Sequence, residues 1–196
     1  GTSNSGRFAA KVGHGEKRDI DPAVIVEARG NFDRLGLRAL VVVGGDGSLT
    51  IAQQCMEVGI PVVGVPKTID NDIAGTVVTF GFDTAVSFAT DAQDRLRSTA
   101  QSHQRVMVCE MMGRYAGWIA LHAGISGGAD VILIPEIPFS LESVCAKIRQ
   151  RVAEGKHDSL VVVAEGAREK NHDYVTSEAP KVGQGPSGGA FREARL

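Results

Sequence analysis

Runs of β-branched residues alternate along this chain with stretches whose apolar positions have helical spacing. Apolar residues at 24, 25, 28, 32 and 35 predict a helix over 23–35. One apolar run predicts a buried strand at 39–43, a second run predicts a strand at 61–65, and the helix predicted between them opens at Ser48. This is the pattern of a βαβ unit, whose two strands are parallel.

A second alternation of helices and strands follows Gly81. The predicted helices cover 82–99, 116–126 and 140–153, and the predicted strands cover 105–110, 130–134 and 159–164. Residues 1–22 and 166–190 show no clear periodicity and are predicted to be loops. The pattern therefore predicts the α/β class, with two Rossmann-like, three-layer α/β/α domains whose sheets are mostly parallel. We expect these domains to occupy 1–81 and 82–196, and both to be incomplete in this chain.

Composition narrows the class of protein. The 196 residues are 43% hydrophobic, enough for a core, and a net charge of −2 indicates neither a nucleic-acid nor a membrane partner. No apolar stretch is long enough to cross a bilayer, and no signal peptide is visible. Three widely spaced cysteines indicate reduced thiols of a cytoplasmic protein: Cys55, Cys109 and Cys145. Because the chain begins without Met, we expect an internal piece of a longer protein.

The first candidate site follows the first predicted strand. Gly44-Gly45-Asp46-Gly47-Ser48 lies where a strand ends and a helix begins, so its amides and the helix dipole can face an anion. Asp46 is a candidate ligand for Mg²⁺, which bridges phosphates. A purely structural role is also open, as a tight turn capped by Ser48. The motif is not specific, because several kinase families use a Gly-Gly-Asp-Gly turn.

The second candidate site, Thr68-Ile69-Asp70-Asn71-Asp72, follows the second predicted strand. Ligands bind outside the carboxyl ends of the strands in open α/β sheets, so the two sites are expected to converge. Asp70 can accept a proton from an attacking hydroxyl, and Lys67 can neutralise a transferring phosphoryl group. An Asx-turn loop with solvated acids would fit the same residues.

Several motifs together resemble the 6-phosphofructokinase family in order and spacing. The resemblance is dense over about residues 1–165 and patchy from 166 to 196. The motifs that carry it, beyond the two sites above, are Thr79-Phe80-Gly81-Phe82-Asp83-Thr84-Ala85, Ser102-His103-Gln104-Arg105, Met112-Gly113-Arg114-Tyr115-Ala116-Gly117, Ile134-Pro135-Glu136 and Glu165.

The resemblance implies transfer of the γ-phosphate of ATP to the 1-hydroxyl of fructose 6-phosphate. It makes 1–81 part of a nucleotide-binding domain and 82–196 part of a sugar-phosphate-binding domain. The implied catalytic residues are Asp70 as general base, Thr68 and Arg114. Those implied for ATP are Arg7, Gly45, Asp46, Gly47 and Ser48, with Asp46 and Asp72 for Mg²⁺. Those implied for the sugar phosphate are Thr68, Asp70, Arg105, Met112, Gly113, Arg114, Glu165 and Arg195.

The resemblance also implies an assembly. Arg105, and with it Arg195, matches an arginine that reaches the site of a neighbouring subunit, so a homodimer or homotetramer is expected. We expect these 196 residues alone to be inactive or poorly folded, because both sheets would lack strands.

Two residues point to different phosphoryl donors. In the family, a Gly at the position of Gly47 leaves room for a nucleotide, whereas Lys at the position of Lys67 occurs in pyrophosphate-using members. Steric exclusion is the stronger veto, so ATP is favoured over pyrophosphate. Two further functions fit part of the pattern: a non-catalytic subunit that binds sugar phosphate, and a kinase of the NAD kinase type.

Overall fold

Two parallel sheets of three strands each organise the part of the chain that the structure describes. The structure is a computed structural model, and it describes Phe8 and residues 19–170. The elements are α1 (Pro22–Arg34), β1 (Leu40–Gly44), α2 (Asp46–Glu57), β2 (Val62–Thr68), β3 (Phe80–Gly81), α3 (Phe82–His103), β4 (Val106–Met111), α4 (Trp118–Ser126), β5 (Val131–Leu133), α5 (Leu141–Ala153) and β6 (Ser159–Ala164). The predicted α/β class is confirmed.

The first sheet has the strand order β1-β2-β3. Its register pairs Leu40 with Val62 and Gly44 with Pro66, so the two strands end side by side. Helix α2 packs on one face of the sheet, above a small core of Phe32, Cys55 and Ile60. The predicted βαβ unit is therefore confirmed.

The other face of the first sheet is open among the described residues. Val41, Val43 and Val63 are 68%, 56% and 57% exposed, so the prediction that β1 is a buried strand is wrong for this face, and β2 is exposed on it as well. Side chains alternate across a strand, and here only one of the two faces is packed. Parallel sheets are ordinarily covered on both faces, which is why an apolar run predicts burial.

The second sheet has the order β4-β6-β5, with β6 at its centre. Its core comprises Phe82, Met111, Ile119, Ala120, Val162 and Ala164, and helices α3 and α4 pack against it. Ile69 of the first half also packs against this core. A buried ion pair joins Arg151 to Asp130 at 2.7 Å, beside the start of β6. Ile69 thus forms an apolar contact between the two halves of the chain.

Several element boundaries differ from those predicted. Helix α2 begins at Asp46 instead of Ser48, with Gly45 as its N-cap and no side-chain cap, so the interpretation of Ser48 as a cap is wrong. Strand β2 continues to Thr68, since its last two residues pair with β3, a strand too short for the pattern to reveal. The predicted start of α5 is confirmed, because Ser140 Oγ accepts a hydrogen bond from the Ser143 amide.

Gly81 connects the two halves. It has a φ of 105° and is the N-cap of α3, which leaves β3 directly. The division of the chain into 1–81 and 82–196 stays a prediction. Across the described residues, no helix combines the length and the apolarity that a membrane crossing requires.

Candidate active site

The ends of β1 and β2 bring the two predicted motifs together. Gly45 lies against Thr68: a Cβ atom on Gly45 would be 3.3 Å from the Thr68 Cβ atom, closer than side chains normally pack. Glycine at this position lets the turn that precedes α2 approach the end of β2. The predicted convergence of the two segments is therefore what the structure shows.

Helix α2 directs its amino end at this point. Its first intrahelical bond runs from the Leu49 amide to the Gly45 carbonyl, at 3.0 Å. The first amides of a helix have no intrahelical acceptor, so those of Asp46, Gly47 and Ser48 are available to an anion. The carboxylates of Asp46 and Asp72 are both on exposed residues near the same strand ends.

Asp70 is half-buried, and its carboxyl group is influenced by residues from both halves of the chain. Burial raises its pKa above the ordinary value, and the negative charge of Asp72 raises it further. A hydrogen bond with the Thr68 side chain and the positive charge of Arg114 act in the opposite direction, while the charge of Glu165 raises the pKa. Asp70 therefore lies within the electrostatic influence of residues at the carboxyl ends of both sheets.

The loop after β4 is held by a carboxylate from the end of β6. Glu165 Oε1 accepts hydrogen bonds from the amides of Gly113 and Arg114, at 3.1 and 2.6 Å. Gly113 has a φ of 140°, and a Cβ atom there would lie 2.4 Å from the Ala116 carbonyl oxygen. The resemblance implies a contact of Glu165 with the sugar only. Sequence reasoning missed its bonds to the loop, because 52 positions separate Glu165 from Gly113.

A second carboxylate fixes the other end of the same loop. Glu136 Oε1 accepts a hydrogen bond of 2.8 Å from the Gly117 amide, which precedes α4. A Cβ atom at Gly117 would lie 2.5 Å from the Ile134 Cβ atom, so only glycine allows this close approach. The motif that contains Glu136 is visible in the sequence, but nothing in the pattern indicates a partner 19 positions away.

The remaining predicted residues divide into two groups. Met112 and Arg114 are exposed at the end of β4, on the same side of the second sheet as Glu165. Arg105 precedes β4 and so lies at the opposite end of that strand, roughly 20 Å from Met112 by the rise of a strand. Lys67 is exposed and alternates with Thr68, which places it on the other face of β2. Arg7 and Arg195 lie outside the described residues.

The acids near the ends of β1 and β2 are suited to magnesium, which needs few protein ligands, and not to a metal ion held entirely by protein side chains. Among residues 19–170, no group of three or more His, Cys, Asp or Glu side chains is arranged to hold a metal ion. Mg²⁺ keeps several waters and is ordinarily bound by one or two carboxylates together with phosphate oxygens. Asp46 and Asp72 fit this pattern, in which the ion is completed by a phosphorylated ligand.

A helix amino end and charged side chains at the carboxyl ends of parallel strands are typical of α/β proteins that bind anionic ligands. The sequence model described as Phosphofructokinase matches residues 4–189. The chain therefore belongs to the phosphofructokinase family.

The names of individual relatives are consistent with this family. The chain is 57% identical over 167 residues to a protein of Chloroflexus aggregans named ATP-dependent 6-phosphofructokinase, a match that covers 85% of this chain and 46% of that relative. It is similar to the phosphofructokinase structure from Pichia pastoris, with a TM-score of 0.73 and 34% identity over 81% of this chain and 19% of that one. It is also similar to a pyrophosphate-dependent phosphofructokinase from Marinobacter aquaeolei, with a TM-score of 0.67 and 28% identity over 77% of this chain and 42% of that one. The chain spans about half the length of the curated relative it matches.

Proposed function

We propose that this chain carries the catalytic cleft of an ATP-dependent 6-phosphofructokinase, which converts fructose 6-phosphate to fructose 1,6-bisphosphate. The observation that supports this most directly is the position of Asp70. Its half-buried carboxyl group stands at the end of one sheet and responds to Arg114 and Glu165 at the end of the other. A base placed between a donor half and an acceptor half is what phosphoryl transfer to a hydroxyl requires.

The first half is assigned to the donor. The amides at the start of α2 and the exposed side chains of Asp46 and Ser48 would contact the phosphates of ATP, with Arg7 as a further proposed contact. Asp46 and Asp72 would hold Mg²⁺, which supplies charge neutralisation on the phosphate oxygens. This half corresponds to the proposed nucleotide-binding domain, residues 1–81.

The second half is assigned to the acceptor. Met112, Gly113 and Arg114 form the loop that would hold fructose 6-phosphate, since a guanidinium can bind phosphate oxygens through two hydrogen bonds. Glu165 holds that loop through its Oε1 atom, and we propose that its other oxygen binds a sugar hydroxyl. This half corresponds to the proposed sugar-phosphate-binding domain, residues 82–196.

The chemical step is assigned to Asp70, Thr68 and Arg114. The carboxylate of Asp70 accepts the proton of the 1-hydroxyl group of fructose 6-phosphate. The oxygen of that hydroxyl group forms a bond to the γ-phosphorus, and the bond from the γ-phosphorus to ADP breaks. Arg114 faces the charge that spreads over the transferring group, which positioned cations stabilise. The Thr68 side chain stabilises the ionised form of Asp70 through their hydrogen bond.

Arg105 is assigned to a neighbouring subunit. It precedes β4, far along the strand from the Met112–Arg114 loop of its own chain, so it is free to reach the 6-phosphate held by another copy. We propose a homodimer or homotetramer in the cytoplasm, with Arg195 as a second residue of this kind.

The donor is assigned to ATP, with pyrophosphate as the second candidate. Gly47 has no side chain to occupy the space of a nucleotide, and the similarity to the relative named ATP-dependent is 57% against 28% for the pyrophosphate-dependent structure. Lys67 is the observation that favours pyrophosphate, but the residue is exposed and on the other face of β2 from Thr68. A cation on that face is expected to have little influence on the choice between ATP and pyrophosphate.

The test is the formation of fructose 1,6-bisphosphate from fructose 6-phosphate and Mg²⁺, with ATP and pyrophosphate in parallel reactions. It uses the polypeptide in which these residues occur, at its natural length. Product with ATP alone supports the proposal. Product with pyrophosphate alone reverses the choice of donor, and product with neither donor rejects the proposed function.

A further inference from the structure

Asp70 belongs to the loop that follows Thr68 at the end of β2 and leads to β3, which pairs with the last two residues of β2. The tip of the loop is exposed, and Val77 there is 92% exposed. The loop lies at the edge of a sheet whose outer strand is two residues long. The packing of Ile69 against the core of the second sheet anchors the chain beside Asp70 but does not set the direction of the Asp70 carboxyl group. Hydrogen bonds at the base of the loop must do so.

Thr79 supplies those hydrogen bonds and is itself 2% exposed. Its hydroxyl group donates to the Thr68 carbonyl at 2.8 Å, and its amide donates to Asn71 Oδ1 at 2.9 Å. Thr68 and Asn71 are the residues two before and one after Asp70. Thr79 is therefore bonded to the main chain before Asp70 and to the Asn71 side chain after it.

Asn71 is suited to its part in this arrangement. Its φ is 54°, in the left-handed region that Asn adopts more readily than most residues. The left-handed turn reverses the chain after Asp70 and brings the Asn71 side chain to the Thr79 amide. On the other side, the Asp70 amide donates to Thr68 Oγ1 at 3.2 Å. These contacts, which we call the Thr79 clasp, join Thr68, Asn71 and Thr79.

We propose that Thr79 is a positioning residue for phosphoryl transfer, which holds the Asp70 carboxyl group toward the acceptor hydroxyl through the Thr79 clasp. The inference rests on the proposed function, because it assigns Thr79 a role in the reaction of that same site. Thr79 touches neither donor nor acceptor and acts through Asp70. A displacement of about 1 Å at a reacting group can cost about 10²-fold in rate, so loss of the clasp should lower turnover more than binding.

The test is the kinetics of Thr79→Val and Thr79→Ser in the natural-length polypeptide, with fructose 6-phosphate, ATP and Mg²⁺. Valine keeps the shape and loses the donor to the Thr68 carbonyl. We expect kcat to fall by about 10- to 100-fold while KM for fructose 6-phosphate changes by less than about 3-fold. Serine keeps the donor, and we expect it to restore kcat to within about 3-fold of the wild type.

Thr90→Val is the matched control. Thr90 also donates its hydroxyl to a carbonyl at 2.8 Å, that of Val86, but within α3. We expect its kcat to stay within about 2-fold of the wild type. Asn71→Gly keeps the positive φ and removes the acceptor of the Thr79 amide, so it should repeat the loss of kcat if Thr79→Val fails to fold.

The outcomes separate the two proposals. If the wild type makes no fructose 1,6-bisphosphate with either donor, the proposed function fails and the role of Thr79 falls with it. If the wild type is active, the role of Thr79 is rejected by any of three results. These are a kcat for Thr79→Val equal to that of Thr90→Val, a loss confined to KM, and a Thr79→Ser enzyme no faster than Thr79→Val.

Discussion

The loops that carry Asp70 and Arg114 are fixed in different ways. In the first half, the Asp70 loop is closed by neutral groups of the loop itself, with Thr79 bonded to residues 8 and 11 positions away. In the second half, the Arg114 loop is held by carboxylates from distant positions, Glu165 and Glu136. The first arrangement can form locally, whereas the second requires β4 and β6 to be paired. Charged acceptors also make the stronger hydrogen bonds.

The difference follows from what each loop presents. Burial and the charges of Asp72 and Glu165 already raise the pKa of Asp70, and the neutral hydrogen-bond partners in its loop add no further negative charge. The second loop presents a cation, Arg114, and acids beside it are compatible with that charge. The choice of partner in each half thus matches the charge of the residue that the loop displays.

The largest effect is expected when the carboxylate that the Asp70 loop presents is removed. Asp70→Asn keeps the shape of the side chain and removes the base, so we expect kcat to fall by about 10³-fold while the free energy of unfolding is little changed. Steady-state assays with fructose 6-phosphate and ATP measure this. Asp91→Asn, at an exposed ion pair on α3, is the control. An Asp70→Asn enzyme with a kcat close to the wild-type value would show that Asp70, the residue held by the Thr79 clasp, is not the general base.

The second prediction concerns the contribution of the Arg151–Asp130 ion pair to the stability of the second half. Asp130→Asn leaves Arg151 without its carboxylate partner, in a pair whose side chains are 12% and 11% exposed. We expect the free energy of unfolding to fall by about 3 kcal/mol or slightly more. Asp33→Asn breaks an exposed pair with Arg29 in the first half, and we expect about 0.3 kcal/mol there. Equal losses in urea titrations would remove the contrast between the halves.

The third prediction compares one glycine from each loop. Gly113→Ala would place a Cβ atom 2.4 Å from the Ala116 carbonyl oxygen, at a φ of 140°, and we expect a loss of about 3 kcal/mol in unfolding free energy. Gly75 also has a positive φ, of 78°, but open space around it. Gly75→Ala should therefore cost only about 1 kcal/mol. Chemical denaturation of both variants measures this, and a smaller loss for Gly113→Ala contradicts the tight packing of that loop.

The smallest expected effect compares the two sets of hydrogen bonds directly. Glu165→Ala removes one charged acceptor shared by two amides, and we expect it to cost about 2 kcal/mol in unfolding free energy. Thr79→Val removes one neutral hydrogen bond and should cost about 1 kcal/mol. Thermal and urea unfolding of the two variants give the ranking. The reverse order would mean that the neutral clasp is the stronger of the two.

Much of the fold followed from the hydrophobic pattern, because β-branched runs and helical spacing marked almost every element. Strand β3 was not predicted, since Phe80–Gly81 is too short to show a period. The exposure of Val41 and Val43 was not predicted either, because an apolar run shows that a strand can be covered on both faces, not that it is.

The candidate site was only partly predictable, for a related reason. Asp46 and Asp70 directly follow apolar strands, and that local signal is visible in a sequence. The bonds of Glu165 to the Arg114 loop join residues 51 positions apart, and Thr79 stands in a motif that gives no sign of its partners. Contacts of this kind depend on the return path of the chain, which one sequence does not contain.

The packing of Ile69 has a mechanical consequence. Ile69 precedes Asp70 and is continuous with β2, yet its side chain packs against the core of the second sheet. The Thr79 carbonyl accepts a bond from the Phe82 amide, at 3.2 Å, and Phe82 is buried in that same core. The Asp70 loop is therefore anchored to the second half of the chain near both of its ends. A movement of the two sheets relative to each other would therefore change the distance from Asp70 to the Arg114 loop less than the distance from Asp70 to the start of α2.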